Sequence, residues 1–381
     1  MNPKHILFLI GSLGSGGAER QTIDLINRLN PLFFRISLAY FVRNETLKPL
    51  VIHDKIAGIY CLDKKFRFDF HSLRRLNEII EKTNPDLVIC VNPYPLVYTF
   101  ILHIVKRSCY KIIVIMHSTI MPNKYKDLLT KLLYRYIINK ANKVIFVCKK
   151  QMEYWHEKYK INPKDSYYIY NGVDTKKFST QMCMNERKIF RKRIGINDND
   201  YVVCICATLS SAKRHVDLID AVALLRKEGT YIKILIVGDG PERQNIEKYI
   251  NERLMDDSVI FTGFQTDIRP FVEICDIFSI VSSSVETFSI AILEAMAMSK
   301  PIIASDIGGA REQVLNDKNG YLFQAKDVND LANKIRKVLE KNENNRMGIM
   351  SRELVVCNFS VEKMVSIYEE FFLTLLIKKE K

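Results

Sequence analysis

Glu286 and Glu294 stand eight residues apart in the segment Val285-Glu286-Thr287-Phe288-Ser289-Ile290-Ala291-Ile292-Leu293-Glu294-Ala295-Met296-Ala297, and of all the acids in the chain their spacing most invites a chemical reading. Glu286 closes a serine-rich loop, Ser282-Ser283-Ser284, and Glu294 is expected about two turns into an apolar helix. Two helical turns rise roughly 11 Å, about the length of a nucleoside diphosphate-sugar from ribose to hexose. A carboxylate at the helix mouth and another inside it could hold the two ends of such a molecule, and the helix N-terminus between them would face the phosphates. A structural helix with a polar mouth and one satisfied acid is the other reading that this spacing allows.

Other loops carry candidates of the same kind. Gly11-Ser12-Leu13-Gly14-Ser15-Gly16-Gly17-Ala18-Glu19-Arg20 follows the first apolar run, and its glycines allow a ligand close to the backbone. It is not a Walker A loop, because no Lys follows the last glycine, and Glu19 stands where a dinucleotide fingerprint needs Gly or Ala. His117 ends another apolar run, where an imidazole can donate to a hydroxyl or a phosphate. Lys213, in Ala207-Thr208-Leu209-Ser210-Ser211-Ala212-Lys213-Arg214, could neutralise a diphosphate leaving group. For each of these a structural turn or a solvated surface residue is the alternative. Asp198-Asn199-Asp200 could hold a divalent metal but lies in a polar linker, where a turn is expected. Cys90, Cys148, Cys204, Cys206 and Cys275 lie in or beside apolar runs and read as small core residues in a reducing compartment.

These residues need elements to position them. Short apolar runs alternate with amphipathic helical stretches, the pattern of parallel α/β units. The predicted strands are 6–10, 36–41, 87–91, 112–116 and 144–147, then 202–207, 233–237, 259–261, 277–281, 301–305 and 321–323. Each set makes one doubly wound sheet, and ligands of such sheets bind beyond the carboxyl ends of the strands. Asn171-Gly172 marks a turn between the sets, so domains are expected over 1–170 and 171–359. A terminal helix over 360–381, with Met364, Ile367, Phe371 and Leu375 as its apolar positions, is expected to pack on one of them, and a return to the first is one possibility.

The net charge of +14 is unevenly spread: residues 1–170 hold 27 Lys and Arg against 13 Asp and Glu, while 171–381 hold 30 against 30. The first half is therefore drawn to something anionic. Residues 124–140 read as an amphipathic helix, with Tyr125, Leu128, Leu129, Leu132, Leu133, Tyr136 and Ile137 at helical spacing and Lys126, Lys131, Arg135 and Lys140 outside that stripe. Lys64-Lys65-Phe66-Arg67-Phe68 adds basic and aromatic groups. A core-facing helix and a surface that docks on anionic lipid are both open at this point. No signal peptide and no apolar run of about 20 residues is visible, so a cytoplasmic protein is expected, with the inner face of the cell membrane as a further place of action.

Together the motifs resemble the retaining glycosyltransferases of family 4, which have the GT-B fold. The resemblance rests on Gly16-Gly17-Ala18-Glu19, His117, Asn171-Gly172-Val173-Asp174, Lys213, Gly238-Asp239-Gly240-Pro241-Glu242, Phe261-Thr262-Gly263-Phe264, the Glu286 to Glu294 segment, and Gly308-Gly309 with Glu312. It implies an α/β protein of two Rossmann-like domains facing across a cleft, the first binding the acceptor and the second the nucleotide-sugar donor. It also implies transfer of a hexose or N-acetylhexosamine, with UDP as the expected nucleotide, to a glycan or lipid-linked acceptor in surface-polysaccharide synthesis. Glu286 would contact the sugar hydroxyls and Glu294 the ribose. The amides of Phe288, Ser289 and Ile290 would meet the diphosphate, and Lys213 would stabilise it as it leaves. Gly16 and Gly17 would close over the phosphates, His117 would sit near the reacting sugar, and Gly263 and Phe264 would line the base pocket. No cofactor or metal is called for. Thr208 stands where the family usually has Arg, and the loss of one cation costs about 1.5–3 kcal/mol unless another group, such as Arg214, replaces it. A sugar-nucleotide epimerase of the same fold and a catalytically dead scaffold are rival readings. A basic nucleic-acid binder is a third, although no nucleic-acid recognition motif is present and no nucleic-acid partner is expected.

Overall fold

The structure is a computed structural model, and it describes residues 2–66, 68–106, 109–119, 124–284, 286–340 and 343–377. Val285 and Arg67, both part of motifs named above, lie outside the described residues. The chain forms two compact units, Met1–Gly172 with Val361–Lys381, and Val173–Ser360.

The first unit is built on a seven-stranded sheet: β1 (Lys4–Ile10), β2 (Phe34–Tyr40), β3 (Ile56–Cys61), β4 (Leu87–Val91), β5 (Lys111–Met116), β6 (Lys143–Phe146) and β7 (Ser166–Tyr168). All pairings are parallel, in the order β3-β2-β1-β4-β5-β6-β7. Ile6 faces Ile36 on one side and Leu87 on the other, so β1 is central. Both of its neighbours are almost wholly buried, β4 as Leu-Val-Ile-Cys-Val and β2 with only Arg35 exposed, as strands covered on both faces by crossover helices are. The two edge strands, β3 and β7, were not predicted. Their side chains are mostly half-buried or exposed, so they lack the apolar run that betrays a central strand.

The terminal helix, Val361–Ile377, belongs to this unit. Its buried stripe is Val361, Met364, Val365, Tyr368 and Phe372: Met364 is buried as expected, while Tyr368 and Phe372 stand in place of the expected Ile367 and Phe371, and Leu375 is half-buried. The reason is the partner surface: Phe372 meets Phe34 of β2 edge-on at 6.1 Å, and Glu369 accepts a 2.6 Å hydrogen bond from the Asn30 amide. Phe371 is left to meet the edge-strand residue Tyr167 edge-on, 4.9 Å away.

The second unit carries β8 (Tyr201–Cys206), β9 (Ile232–Val237), β10 (Val259–Gly263), β11 (Ile277–Ile280), β12 (Ile302–Ser305) and β13 (Gly320–Phe323), again all parallel, in the order β10-β9-β8-β11-β12-β13. Every strand expected here is present. The basic stretch before β8 is not a plain linker, since Met184–Arg193 is helical. Arg187 pairs with the buried Glu273, and Arg191 donates to the Ile274 carbonyl at 3.0 Å. All nine cysteines are free thiols, and the five assigned to the core are buried. In each sheet the strand order reverses once, between β1 and β4 and between β8 and β11. Crevices for ligands open at such points.

Phe372 is fully buried, so Phe372→Ala should cost the first unit about 3–5 kcal/mol. Trp155, the single tryptophan, lies in the same unit and reports the transition, so a lowered urea midpoint by its fluorescence is the expected result.

Candidate functional site

In the second unit the switch point is bridged by charge. Lys213 ends a short 3-10 turn after β8, and Glu286 follows β11. The Lys213 ammonium bonds Glu286 Oε2 directly, with both side chains largely buried. Glu286 also accepts from Ser282 Oγ at 3.1 Å. The two loops are fastened below the charges, where the Ser283 amide donates to the Ala212 carbonyl at 2.9 Å. The loop after β12 supports them from the other side. Gly308 has φ +55°, and a Cβ there would overlap the Glu286 carbonyl, while the Gly309 amide donates to the Thr287 carbonyl at 2.9 Å. Only glycine combines that backbone angle with that approach.

The helix after Glu286 runs from Ile290 to Ala297, with Ser289 as its N-cap. Glu294 is therefore only about one turn inside it, not two. Residues 286–289 are loop, because Gln313 holds Ser289 in extended backbone. Gln313 Oε1 accepts from the Ser289 amide at 3.0 Å, and its Nε2 donates to the Ser289 carbonyl at 2.8 Å. This removes the Ser289 amide from the expected diphosphate contacts and leaves those of Phe288 and Ile290 as candidates. The Phe288 side chain is structural, 5.4 Å from the Phe359 ring. Glu294 is 4 % exposed.

The remaining candidates of this unit divide. Thr208 is exposed on the loop after β8. Arg214, the candidate to stand in for the missing arginine, makes two 2.6 Å bonds from its guanidinium to the buried Asp217 carboxylate. Gly263 has φ +70° and open space where a Cβ would stand, and Phe264 next to it is exposed. Gly238 and Gly240 have a different role, since Cβ atoms there would overlap the Ala207 and Leu209 carbonyls. They let the loops after β8 and β9 lie back to back. Asp198-Asn199-Asp200 is a turn in which Asp200 Oδ2 accepts from the Asn197 amide at 2.8 Å. Among the described residues no group of three or more His, Cys, Asp or Glu side chains is arranged to hold a metal ion.

His215, which the sequence reading passed over, starts the helix after Lys213. It is 2 % exposed with both ring nitrogens unpaired, and burial, helped by the charge of Lys213, lowers its pKa to about 4. Gln313 was missed as well. A glutamine in a short helix gives no pattern, and only its burial reveals its clamp.

The first unit holds its own set around the β1–β4 switch point. Gly16 and Gly17 are exposed at the start of the Gly17–Ile26 helix, and Gly16 is its N-cap with no side-chain cap. Burial raises the pKa of Glu19. His117 follows β5, and its amide donates to Asn92 Oδ1 at 2.9 Å beyond the end of β4. Burial lowers its imidazole to about 4, so it is neutral at pH 7. Gln21 repeats the Gln313 device, with Nε2 to the Gly172 carbonyl at 2.8 Å and Oε1 from the Gly172 amide at 2.9 Å.

Two parallel Rossmann-like sheets, each with its candidate residues at one switch point, define the GT-B class of glycosyltransferase folds. Solved structures agree. Anabaena Alr3699/HepE in complex with UDP superposes with a TM-score of 0.86 at 22% identity, covering 97% of this chain and all of that one. A glycosyltransferase from Rickettsia africae superposes at 0.85, also at 22% identity, over the whole of both chains. Residues 15–177 match the family described as Glycosyltransferase Family 4, and residues 186–353 match Glycosyl transferases group 1. The N-acetyl-alpha-D-glucosaminyl L-malate synthase of Bacillus anthracis is 26% identical over 96% of this chain and 95% of its own. The Escherichia coli UDP-Gal:alpha-D-GlcNAc-diphosphoundecaprenol alpha-1,3-galactosyltransferase is 24% identical over 58% of this chain and 57% of its own. The chain belongs to the family 4 glycosyltransferases.

Gly308→Ala should cost about 1–3 kcal/mol or more, seen as a lower melting temperature. His215 adds a pH dependence of known sign. Its folded pKa lies below the ordinary 6.5, so its contribution is intact above pH 6.5 and is lost as pH falls towards about 4. Relative to His215→Leu, the wild type should lose about 3 kcal/mol across that window in urea titrations at stepped pH.

Proposed function

We propose that this glycosyltransferase moves a hexose or N-acetylhexosamine from a UDP-sugar, with retention of configuration, to a hydroxyl of a glycan or lipid-linked acceptor. The observation that carries this reading is the Lys213–Glu286 pair at the β8–β11 switch point. A UDP-sugar brings a diphosphate and a sugar to one place, and the pair offers a cation for the first and a carboxylate for the second. On arrival of the donor, Lys213 turns from Glu286 to the diphosphate and Glu286 accepts from the sugar hydroxyls. Glu294 holds the ribose, Gly263 and Phe264 line the base site, and the amides of Phe288 and Ile290 face the phosphates at the helix N-terminus.

Among the candidate residues no nucleophile is assigned to the anomeric carbon, so the reading is a front-face substitution. The departing phosphate accepts the acceptor's proton as the new bond forms on the same face. Catalysis then rests on positioning and on stabilising the leaving diphosphate, and it calls for no metal or other cofactor. Gly16 and Gly17 keep the phosphate role that the resemblance implies, and His117 its place near the reacting sugar. As a neutral imidazole it can donate one hydrogen bond without adding charge. The UDP named in the Anabaena complex and the diphosphoundecaprenol acceptor named for the Escherichia coli relative support the donor and a lipid-linked acceptor. The reading puts the enzyme on the cytoplasmic side of an anionic membrane, in capsule, O-antigen or similar polysaccharide synthesis.

In a thermal-shift comparison of UDP-, GDP- and ADP-sugars, a UDP-sugar should raise the melting temperature, with about 2.7 kcal/mol gained at a hundred times Kd. Glu286→Ala and Lys213→Ala should each lower kcat by about a hundredfold or more while the fold persists. The anomeric coupling in the product should match that of the donor. Near-normal turnover in either variant, or an inverted product, would overturn the reading.

A further inference from the structure

The helical segment of the first unit that follows β5 splits the apolar stripe read from its sequence. It comprises Lys124–Leu129, a π turn over Thr130–Tyr134, and Arg135–Ile138. Thr130, Ile137 and Ile138 are buried in the unit, while Tyr125, Leu128, Leu132, Leu133 and Tyr136 are exposed. Residues 125, 128, 132 and 136 fall on one side of a helix by their spacing. Leu128 is 54 % and Leu132 72 % exposed, where an ordinary solvated face would carry polar groups.

The segment is held with that side outward. Asp127 accepts from Tyr159 at 2.6 Å and from Lys158 at 2.7 Å, and it pairs with Lys131 at 3.1 Å. Those cations and hydrogen bonds keep its carboxyl well below the usual range, so the anchor persists at any ordinary pH. The same unit exposes a second apolar group. Phe66 and Phe70 are 71 % and 75 % exposed, and Phe68 stacks on Tyr98 at 5.3 Å. Tyr94 and Tyr134 of the helical segment both pack on the core of this unit, and the Lys64 ammonium lies 4.1 Å over the Tyr94 ring. Lys124, Arg135 and Lys140 on the segment and Lys65 beside Phe66 are exposed and supply positive charge.

We propose that this surface, Tyr125, Leu128, Leu132 and Tyr136 with Phe66 and Phe70, is the part of the protein that docks on an anionic lipid bilayer. It rests on the reading that the enzyme works at a membrane and names the residues that touch it. Charge selects the partner: the basic excess of the chain lies wholly in residues 1–170, and Lys124, Arg135 and Lys140 share the segment that bears the exposed apolar side chains. Such a surface suits acyl chains beneath anionic headgroups.

The test is sedimentation of the full chain with phosphatidylcholine vesicles, with and without phosphatidylglycerol, at low and high salt. The wild type should pellet with the anionic vesicles at low salt and be released by high salt. Leu128→Glu with Leu132→Glu should reduce partitioning by roughly tenfold or more, because two buried leucines are lost. Arg135→Ala and Lys140→Ala should each weaken it about fivefold. All variants should melt like the wild type and transfer sugar to a water-soluble acceptor at its rate, so a failed transferase assay would not be confused with failed docking. Equal pelleting of the double-glutamate variant, or no binding to anionic vesicles, overturns the proposal. A concentration-dependent dimer that Leu132→Glu dissolves, without vesicle binding, also overturns it and gives the surface to a second copy of the chain.

Discussion

The ion pair between Lys213 and Glu286 is the interaction on which the second unit's site depends. Each partner sits at the carboxyl end of a central strand, on either side of the point where the strand order reverses. Both are largely removed from water, which costs desolvation, and the direct bond with the Ser282 hydroxyl offsets that cost. A pair of this kind contributes little net stability, but either charge alone would be strongly unfavourable there. In the function proposed above, a diphosphate takes over the cation and sugar hydroxyls take over the carboxylate, so that both stay satisfied. The direct contact, with the Ser282 hydroxyl beside it, fixes where the two side chains stand.

Backbone proximity makes the pair possible. The loops after β8, β9, β11 and β12 lie so close that glycine is required where they touch, at Gly238 and Gly240 against residues 207–209 and at Gly308 against Glu286. Gly263 is the contrast: its φ is positive, but open space surrounds it. The first group of glycines builds the site, and the last leaves room in it. Buried glutamines do the fine fixing. Gln313 in the second unit and Gln21 in the first each exchange two hydrogen bonds with one backbone position, Ser289 and Gly172. A primary amide matches a peptide group donor to acceptor, so one side chain sets the direction of a loop without leaving a polar atom unpaired.

Charge is divided between the units as the chemistry is. The second unit is electrically balanced and carries its cations in pairs, as with Arg214 on Asp217 and Arg187 on Glu273. In the loop after β8 both cations are paired, Lys213 with Glu286 and Arg214 with Asp217. The first unit holds the whole basic excess, and Lys124, Arg135 and Lys140 of it lie on the segment whose Tyr125, Leu128, Leu132 and Tyr136 are exposed.

Much of this was legible in the chain. Central strands announce themselves because burial on both faces demands unbroken Val, Ile and Leu, and the candidate loops follow because they lie at the carboxyl ends of those strands. Lys213 and Glu286 were both named from sequence, but nothing in a spacing of 73 residues says that they touch. The edge strands β3 and β7 escaped notice because a strand covered on one side needs no apolar run. The start of the helix at Ile290 was misjudged because it depends on Gln313, a residue 24 positions away. The stripe from Tyr125 to Ile137 shows the same limit: periodicity reveals that a helix has an apolar side, but which of its residues meet the core is set by what packs against it. Sequence alone determined the central strands of the two sheets, the loops that follow them and the residue types at their ends, because these follow from local periodicity and burial. Tertiary structure alone decided which charges pair, which amides are already committed and which apolar residues stay outside, because each depends on groups that only the folded chain brings together.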